Sequence, residues 1–182
     1  MVQAIGLIEL TSIAKGIETT DAMIKSAQIE IIEAKPICPG KYVVLICGDV
    51  SAVDNAIKVG EEKGTHAVVD SFILANIHPQ VIKAISSASE VTELKALGVI
   101  ETFTAASLIV SADRAAKTGQ VELIEIRIGM GIGGKSFVTL TGDVSSVKSS
   151  VEAGAASASE KGMLVEYVVI PSPNKHLKAC IL

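Results

Sequence analysis

Residues 4–10, Ala-Ile-Gly-Leu-Ile-Glu-Leu, return as residues 96–102, Ala-Leu-Gly-Val-Ile-Glu-Thr. Gly6 pairs with Gly98 and Glu9 with Glu101, at an offset of 92. The same offset pairs Asp21 with Asp113, Lys25 with Lys117, Gln28 with Gln120, Glu30 with Glu122 and Lys35 with Arg127. Farther on, Gly48-Asp49-Val50 matches Gly142-Asp143-Val144 at 94, so a two-residue insertion falls in the second copy at the intervening turn. Glu62-Lys63-Gly64 matches Glu160-Lys161-Gly162 at 98, which implies a further four-residue insertion. A chain written twice folds as two copies of one module. The boundary is expected in the polar stretch Ser86–Glu93, giving modules over residues 1–91 and 92–182.

Periodicity sets the elements of each copy. Ala4–Leu10 reads as a short apolar strand. Ser12–Ala27 reads as a helix with Ile13, Ile17, Ile24 and Ala27 on its inward face, and Leu108, Ala112 and Ala115 hold that face in the second copy. Ile29–Glu33 alternates partly, as a strand does, and Tyr42–Cys47 is an unbroken apolar run of the kind buried on both faces. Asp49 is placed to cap a second helix with Val53, Ala56 and Ile57 inward and Gly64 at its end; Ala67–Asp70 opens a last strand. The order β-α-β-β-α-β is a split βαβ module of the ferredoxin-like kind, so the fold class is α+β with antiparallel-rich sheets. A module of this size has a modest core, and pairing with its twin stabilises both.

Composition removes several functions. Net charge is −4, Trp is absent, and Phe and Tyr number three and two, leaving neither a basic footprint nor a stacking platform for nucleic acid. No run approaches the length of a membrane span. The Met-Val-Gln-Ala start carries no basic segment followed by an apolar one, so no secretory signal is expected. With 49% hydrophobic residues, the chain is expected to keep apolar surface for subunit contacts. Three widely spaced cysteines, at 38, 47 and 180, do not make a disulfide framework and suit a reducing, cytoplasmic setting.

Two turns carry the chemistry. Pro36-Ile37-Cys38-Pro39-Gly40-Lys41 presents a cysteine among turn-forming residues, where a thiol is exposed and reactive unless it has a task. At the matching place the second copy has Gly129-Met130-Gly131-Ile132-Gly133-Gly134-Lys135-Ser136, which fits the phosphate-binding G-x-x-x-x-G-K-[ST] pattern letter for letter. That motif works only when a helix begins at its Lys. Phe137–Thr141 is instead β-rich, so nucleotide hydrolysis is rejected. The loop reads as a flexible β-connection, or as a pore-facing loop whose amides meet small anions or metabolites. Cys47 sits in the apolar run and reads as core, and Cys180 as a surface or packing residue of the tail. His66, His78 and His176 lack neighbours at metal spacing. Glu9 and Glu101 read as structural, binding backbone or a subunit neighbour. No catalytic constellation stands out, so an enzyme is not expected.

Gly98-Val99-Ile100-Glu101, Ala112-Asp113, Gly142-Asp143-Val144 and Val168-Val169-Ile170-Pro171-Ser172-Pro173, with Gly6–Glu9, Asp21–Ala27 and Gly48–Val50 in the first copy, resemble the BMC domain of bacterial microcompartment shell proteins. The likeness covers nearly the whole chain. Ser172 and Asn174 stand where the family often has Arg and His, and the first copy has Ile77-His78-Pro79 there. A tandem pair of such domains implies a homotrimer imitating the hexamer of single-domain relatives, located in a microcompartment shell with other shell proteins as partners. Lys25 and Lys117 match the family's edge lysine, which implies a part in tiling.

The cysteine turn further resembles that of trimeric shell proteins from propanediol-utilising compartments. That likeness implies that Cys38 ligates an iron–sulfur cluster on the threefold axis. A cluster takes about four cysteine ligands, so one thiol per chain serves only when symmetry repeats it. Three Cys38 thiols would hold three irons of a 4Fe–4S cubane shared by three subunits, leaving one iron open. The expected role is electron transfer across the shell, with a redox enzyme or electron carrier as a further partner. The axis loops would then be Ile37, Cys38, Pro39 and Gly40, alternating with Gly129, Met130, Gly131, Ile132, Gly133 and Gly134. Two alternatives stand beside this reading: a shell tile with a metal-free metabolite pore, and a small-molecule-binding or enzymatic α+β module that uses Cys38.

Overall fold

The computed structural model describes residues 3–181. Met1, Val2 and Leu182, which the sequence assigns to the first and second modules, lie outside the described residues, as do the side chains of Lys178 and Ala179. The chain divides into two compact units. The first takes in Met1–Ile77 with Thr104–Ala106 and Gly129–Gly134; the second takes in His78–Phe103, Ser107–Ile128 and Lys135–Leu182.

In the first copy, β1 (Ala4–Leu10), α1 (Ile13–Ser26), β2 (Ile29–Ile37), β3 (Lys41–Gly48), α2 (Val50–Gly64), a 3-10 turn (Thr65–Ala67) and β4 (Val68–Ala75) follow in order. The sheet runs β2-β3-β1-β4 with every neighbouring pair antiparallel. After α3 (Pro79–Ile85) the second copy repeats this order as β5 (Ala96–Thr102), α4 (Ala105–Thr118), β6 (Val121–Ile128), β7 (Ser136–Gly142), α5 (Val144–Glu160) and β8 (Leu164–Ile170), with α6 (Lys175–Ile181) last. Its sheet is β6-β7-β5-β8, again antiparallel throughout. The α+β class and the β-α-β-β-α-β order read from the sequence are those observed.

All seven residues of β1 are buried, as a central strand covered on both faces requires. Ala4, Ile8 and Leu10 meet Val53, Ala56 and Ile57 of α2 and Met23 of α1 in one core. Gly6 and Gly98 recur because a helix crosses the central strand there. A Cβ on Gly6 would lie 2.6 Å from Ile57 Cγ1, and one on Gly98 would lie 2.5 Å from Val151 Cγ2. Gly6→Ala and Gly98→Ala are each expected to cost about 1–3 kcal/mol by overpacking, seen as a lower midpoint in thermal or urea unfolding.

Two readings need correction. The isoleucines of α1 do not face inward: Ile13, Ile17 and Ile24 are exposed, while Gly16, Thr19, Thr20 and Met23 are buried. Only Ala27, at the helix C-cap, packs on the core as expected. The helix docks through its small residues, for a Cβ on Gly16 would lie 2.5 Å from Tyr42. Close approach, not bulk, selected the inner face. The Leu108, Ala112 and Ala115 face of α4 is buried as expected, and its repeat partners are Gly16, Thr20 and Met23. The second correction concerns the insertions. Glu9 pairs with Asp70 across β1 and β4, and Glu101 with Glu166 across β5 and β8, an offset of 96. Hence two residues, not four, are gained after Gly142, and they lengthen α5 to 17 residues against 15 in α2. The match of Glu62-Lys63-Gly64 at 98 is a chance likeness of helix ends.

An edge strand offers unpaired backbone groups, and β6 is such an edge. Gln80 of α3 covers it: its Nε2 donates to Val121 O at 3.1 Å and its Oε1 accepts from Leu123 N at 2.7 Å. The amide thus stands in for one residue of a fifth strand.

Candidate functional site

The cysteine turn hangs from the end of the β2–β3 ladder. Ile37 pairs with Lys41, and Gly40 N–H donates to Ile37 O at 3.0 Å, so only Cys38, Pro39 and Gly40 leave the sheet. Gly40 sits at φ +94°, a conformation that glycine adopts without strain, and the Cys38–Pro39 peptide is cis. Ile37 is buried, Pro39 and Gly40 are exposed, and Cys38 is partly exposed with a free thiol.

The first unit also includes Gly129–Gly134, so the structure brings both turns together. Cys38 N–H donates to Gly129 O at 2.9 Å, and a Cβ on Gly129 would lie 2.8 Å from Ile37 Cβ. Gly134, at φ +82°, lies so close that a Cβ there would come within 2.5 Å of the Cys38 carbonyl oxygen. The two ends of the glycine loop therefore clamp the cysteine backbone, while Met130, Gly131 and Gly133 project into solvent and Ile132 is half-buried. Counted from the strand before the turn, Cys38 matches Met130, and counted from the strand after it, Cys38 matches Ile132; neither is a thiol. Gly134→Ala is strained in both backbone and space, and is expected to displace Cys38 and cost roughly 1–3 kcal/mol, measurable as a lower unfolding midpoint.

Beneath the cysteine turn, Lys41 forms an ion pair with Glu9, whose side chain is 0% exposed. Glu9 Oε2 also accepts Ala105 N–H at 2.9 Å, and Thr104 Oγ1 donates to Asp70 Oδ2 at 2.8 Å. The repeat partner Glu101 pairs with Lys135 at 2.8 Å but keeps a side chain 33% exposed. The lysine of the phosphate-loop look-alike is thus engaged by a carboxylate, and β7 follows it, so no helix begins at its Lys.

Lys25 is exposed and pairs with Asp21 at 2.6 Å. Lys117 pairs with Asp113 at 2.7 Å, and Asp113 is buried with its Oδ1 accepting His78 N–H at 2.8 Å. The structure does not bring either lysine to the turns. Cys47 is buried, and desolvation, followed by the Glu30 carboxylate, pushes its thiol above the ordinary value, which makes it a poor thiolate. Cys180 is exposed. Among the described residues no group of three or more His, Cys, Asp or Glu could hold a metal ion. Sequence reasoning missed Asp70, Thr104, Asp113 and Gln80, whose partners lie far along the chain. Only the pairing register, had it been known, pointed to Asp70, by placing it opposite Glu9.

Known proteins carry the same architecture. A model of the BMC domain matches residues 4–77 and again residues 96–173. The chain belongs to the BMC-domain family. As a tandem BMC protein it is 46% identical, over 97% of its own length and 96% of the relative's, to the bacterial microcompartment shell protein PduT of Citrobacter freundii. It is 38% identical over 47% of its length to the shell protein EutM of Salmonella typhimurium, of which it covers 86%, so that relative matches one module. A crystal structure of a microcompartment protein from Desulfitobacterium hafniense superposes with a TM-score of 0.90 at 66% identity, covering 99% of this chain and 100% of that one. This tandem BMC protein is therefore a structural protein of the bacterial microcompartment shell, not an enzyme. Shell proteins of this family oligomerise and assemble with other shell proteins. No described helix is long and apolar enough to cross a membrane.

Proposed function

We propose that three copies of this chain form a ring-shaped shell tile in which the cysteine turns converge on the threefold axis and hold an iron–sulfur cluster for electron transfer across the shell. Each copy contributes two modules, 1–91 and 92–182, so three cysteine turns alternate with three glycine turns around the axis. Lys25 and Lys117 lie at the tile edge and help join neighbouring tiles.

The observation that carries this reading is the asymmetry of the two turns. Cys38 is partly exposed on a backbone clamped by Gly129 and Gly134, and the repeat position holds Met130 or Ile132, neither a thiol. Likeness over full length to a protein named PduT supports it. The donor set fits only as a third of a site. At this turn one chain offers one soft thiol, and no metal-binding group of three ligands among the described residues, whereas threefold symmetry offers three thiols there. Cys38 of each chain would be the ligand, and the bound group would supply one-electron redox chemistry. This chain's own work is to present the thiol: the Cys38 N–H to Gly129 O bond fixes the turn, and Pro39 and Gly40 keep it outside the ladder. A redox enzyme or electron carrier would meet the tile at the axis.

Anaerobic purification with added iron and sulfide tests the proposal. Visible absorbance and bound iron above those of Cys38→Ser support it. A trimer with iron no higher than that variant sinks the cluster and leaves a shell tile with a metal-free metabolite pore.

A further inference from the structure

The start of α4 rests on two carboxylates of the first unit. Glu9 and Asp70 stand opposite each other on β1 and β4; Glu9 Oε2 takes Ala105 N–H, and Asp70 Oδ2 takes the Thr104 hydroxyl. The second unit repeats the receiving half of this contact. Glu101 stands opposite Glu166 on β5 and β8. Glu101 Oε1 takes Lys135 as Glu9 takes Lys41, and Glu166 Oε1 takes Tyr167 N–H at 3.0 Å as Asp70 Oδ1 takes Ser71 N–H at 2.9 Å. Among the described residues, Oε2 of Glu101 and Oε2 of Glu166 accept no hydrogen bond.

The missing half exists elsewhere in the chain. The repeat partners of Thr104 and Ala105 are Ser12 and Ile13, at the start of α1. Ile13 N–H belongs to the first turn, where helix amides have no intrahelical acceptor. Ser12 Oγ accepts Lys15 N–H, so its own proton is available to donate. The stripe that runs on from there differs between the copies. Ile13, Ile17 and Ile24 of α1 are exposed, Ile17 to 57%, whereas their partners Ala105, Ile109 and Ala116 in α4 are buried, Ile109 fully. An exposed row of three isoleucines is costly on a helix that has no cover.

We infer that the N-terminal end of α1 from a second copy of this chain docks on Glu101 and Glu166: Ile13 N–H donates to Glu101 Oε2, Ser12 Oγ donates to Glu166 Oε2, and Ile13, Ile17 and Ile24 are covered in the joint. The second copy is the fitting occupant because the chain already holds both halves of the same contact, one completed at Glu9 and Asp70 and one open at Glu101 and Glu166. This rests on the trimer reading and adds to it the residues that close the ring.

Two measurements test it. In a Cys38→Ser, Cys180→Ser background, Ser12→Cys combined with Glu166→Cys is treated with a short bismaleimide. A covalent trimer on a denaturing gel, absent when either introduced cysteine is omitted, is expected. Ile17→Asp changes a side chain exposed in the single chain, so circular dichroism should be unchanged while sedimentation velocity moves from trimer to monomer. A protein that sediments as a trimer yet gives no cross-link, or keeps its trimer mass with Ile17→Asp, overturns the docking and leaves the trimer reading standing. A wild-type chain that sediments as a monomer overturns the trimer reading as well.

Discussion

Cys38→Ser is expected to abolish iron-dependent visible absorbance entirely while leaving the fold and the trimer unchanged. The substitution removes the soft sulfur donor and little else. The turn is held by backbone: Cys38 N–H to Gly129 O and Gly40 N–H to Ile37 O survive the change. Serine fills nearly the same volume on a partly exposed residue, so the stability cost should stay within about 0.5 kcal/mol. The other two cysteines supply the internal controls. Cys47→Ser alters a buried, desolvated thiol in β3 and should leave bound iron unchanged, as should Cys180→Ser in the exposed tail. Iron and sulfide analysis beside absorbance spectra checks all three; loss of iron in Cys180→Ser with retention in Cys38→Ser would place the ligand elsewhere.

Glu9→Ala is expected to destabilise the chain by roughly 3 kcal/mol. Removing one member of a buried ion pair leaves the other charge poorly compensated, at a cost of about 3–5 kcal/mol. Glu9 is fully buried, and its loss also strips Ala105 N–H of its acceptor. The lower end applies because the Lys41 side chain, 15% exposed, retains some water. Glu101→Ala, in a chain kept monomeric by Ile17→Asp, disturbs a half-exposed pair and should cost no more than about 1 kcal/mol. In the assembled trimer its cost should approach that of Glu9→Ala, because docking completes and buries the same contact. Urea unfolding of the four proteins reads the difference, and equal costs for Glu101→Ala in monomer and trimer would contradict it.

Much of the fold was legible because the repeat doubled every signal. The strand Ala4–Leu10 and the inward set Val53, Ala56 and Ile57 follow from local pattern and are observed. Asp49 stands at the N-cap of α2 as expected, but its side chain makes no capping hydrogen bond, whereas its repeat partner Asp143 accepts Ser146 N–H. The look-alike phosphate loop was separable from a true one because Phe137–Thr141 is β-rich, and β7 spans it. Helix α1 was misread because hydrophobicity marks the apolar stripe, and a stripe held for a partner looks the same as one held for the core. Gly16 carries the close internal contact, and only its steric fit against Tyr42 identifies it. Of the site, the cysteine turn was visible as a cluster of turn formers around a thiol. Its clamp was not, because Gly129 and Gly134 lie about ninety positions away and touch the turn through backbone atoms. Asp70 and Thr104 were hidden because their side-chain contact joins positions 34 residues apart.

The most direct test of the central claim is iron, sulfide and chain mass measured on one anaerobically purified sample, with electron paramagnetic resonance after reduction. Three chains sharing one cubane should carry about four irons and four sulfides per trimer, with a paramagnetic signal that Cys38→Ser lacks. A trimer whose iron does not exceed that of Cys38→Ser, and which shows no signal in either redox state, would contradict it.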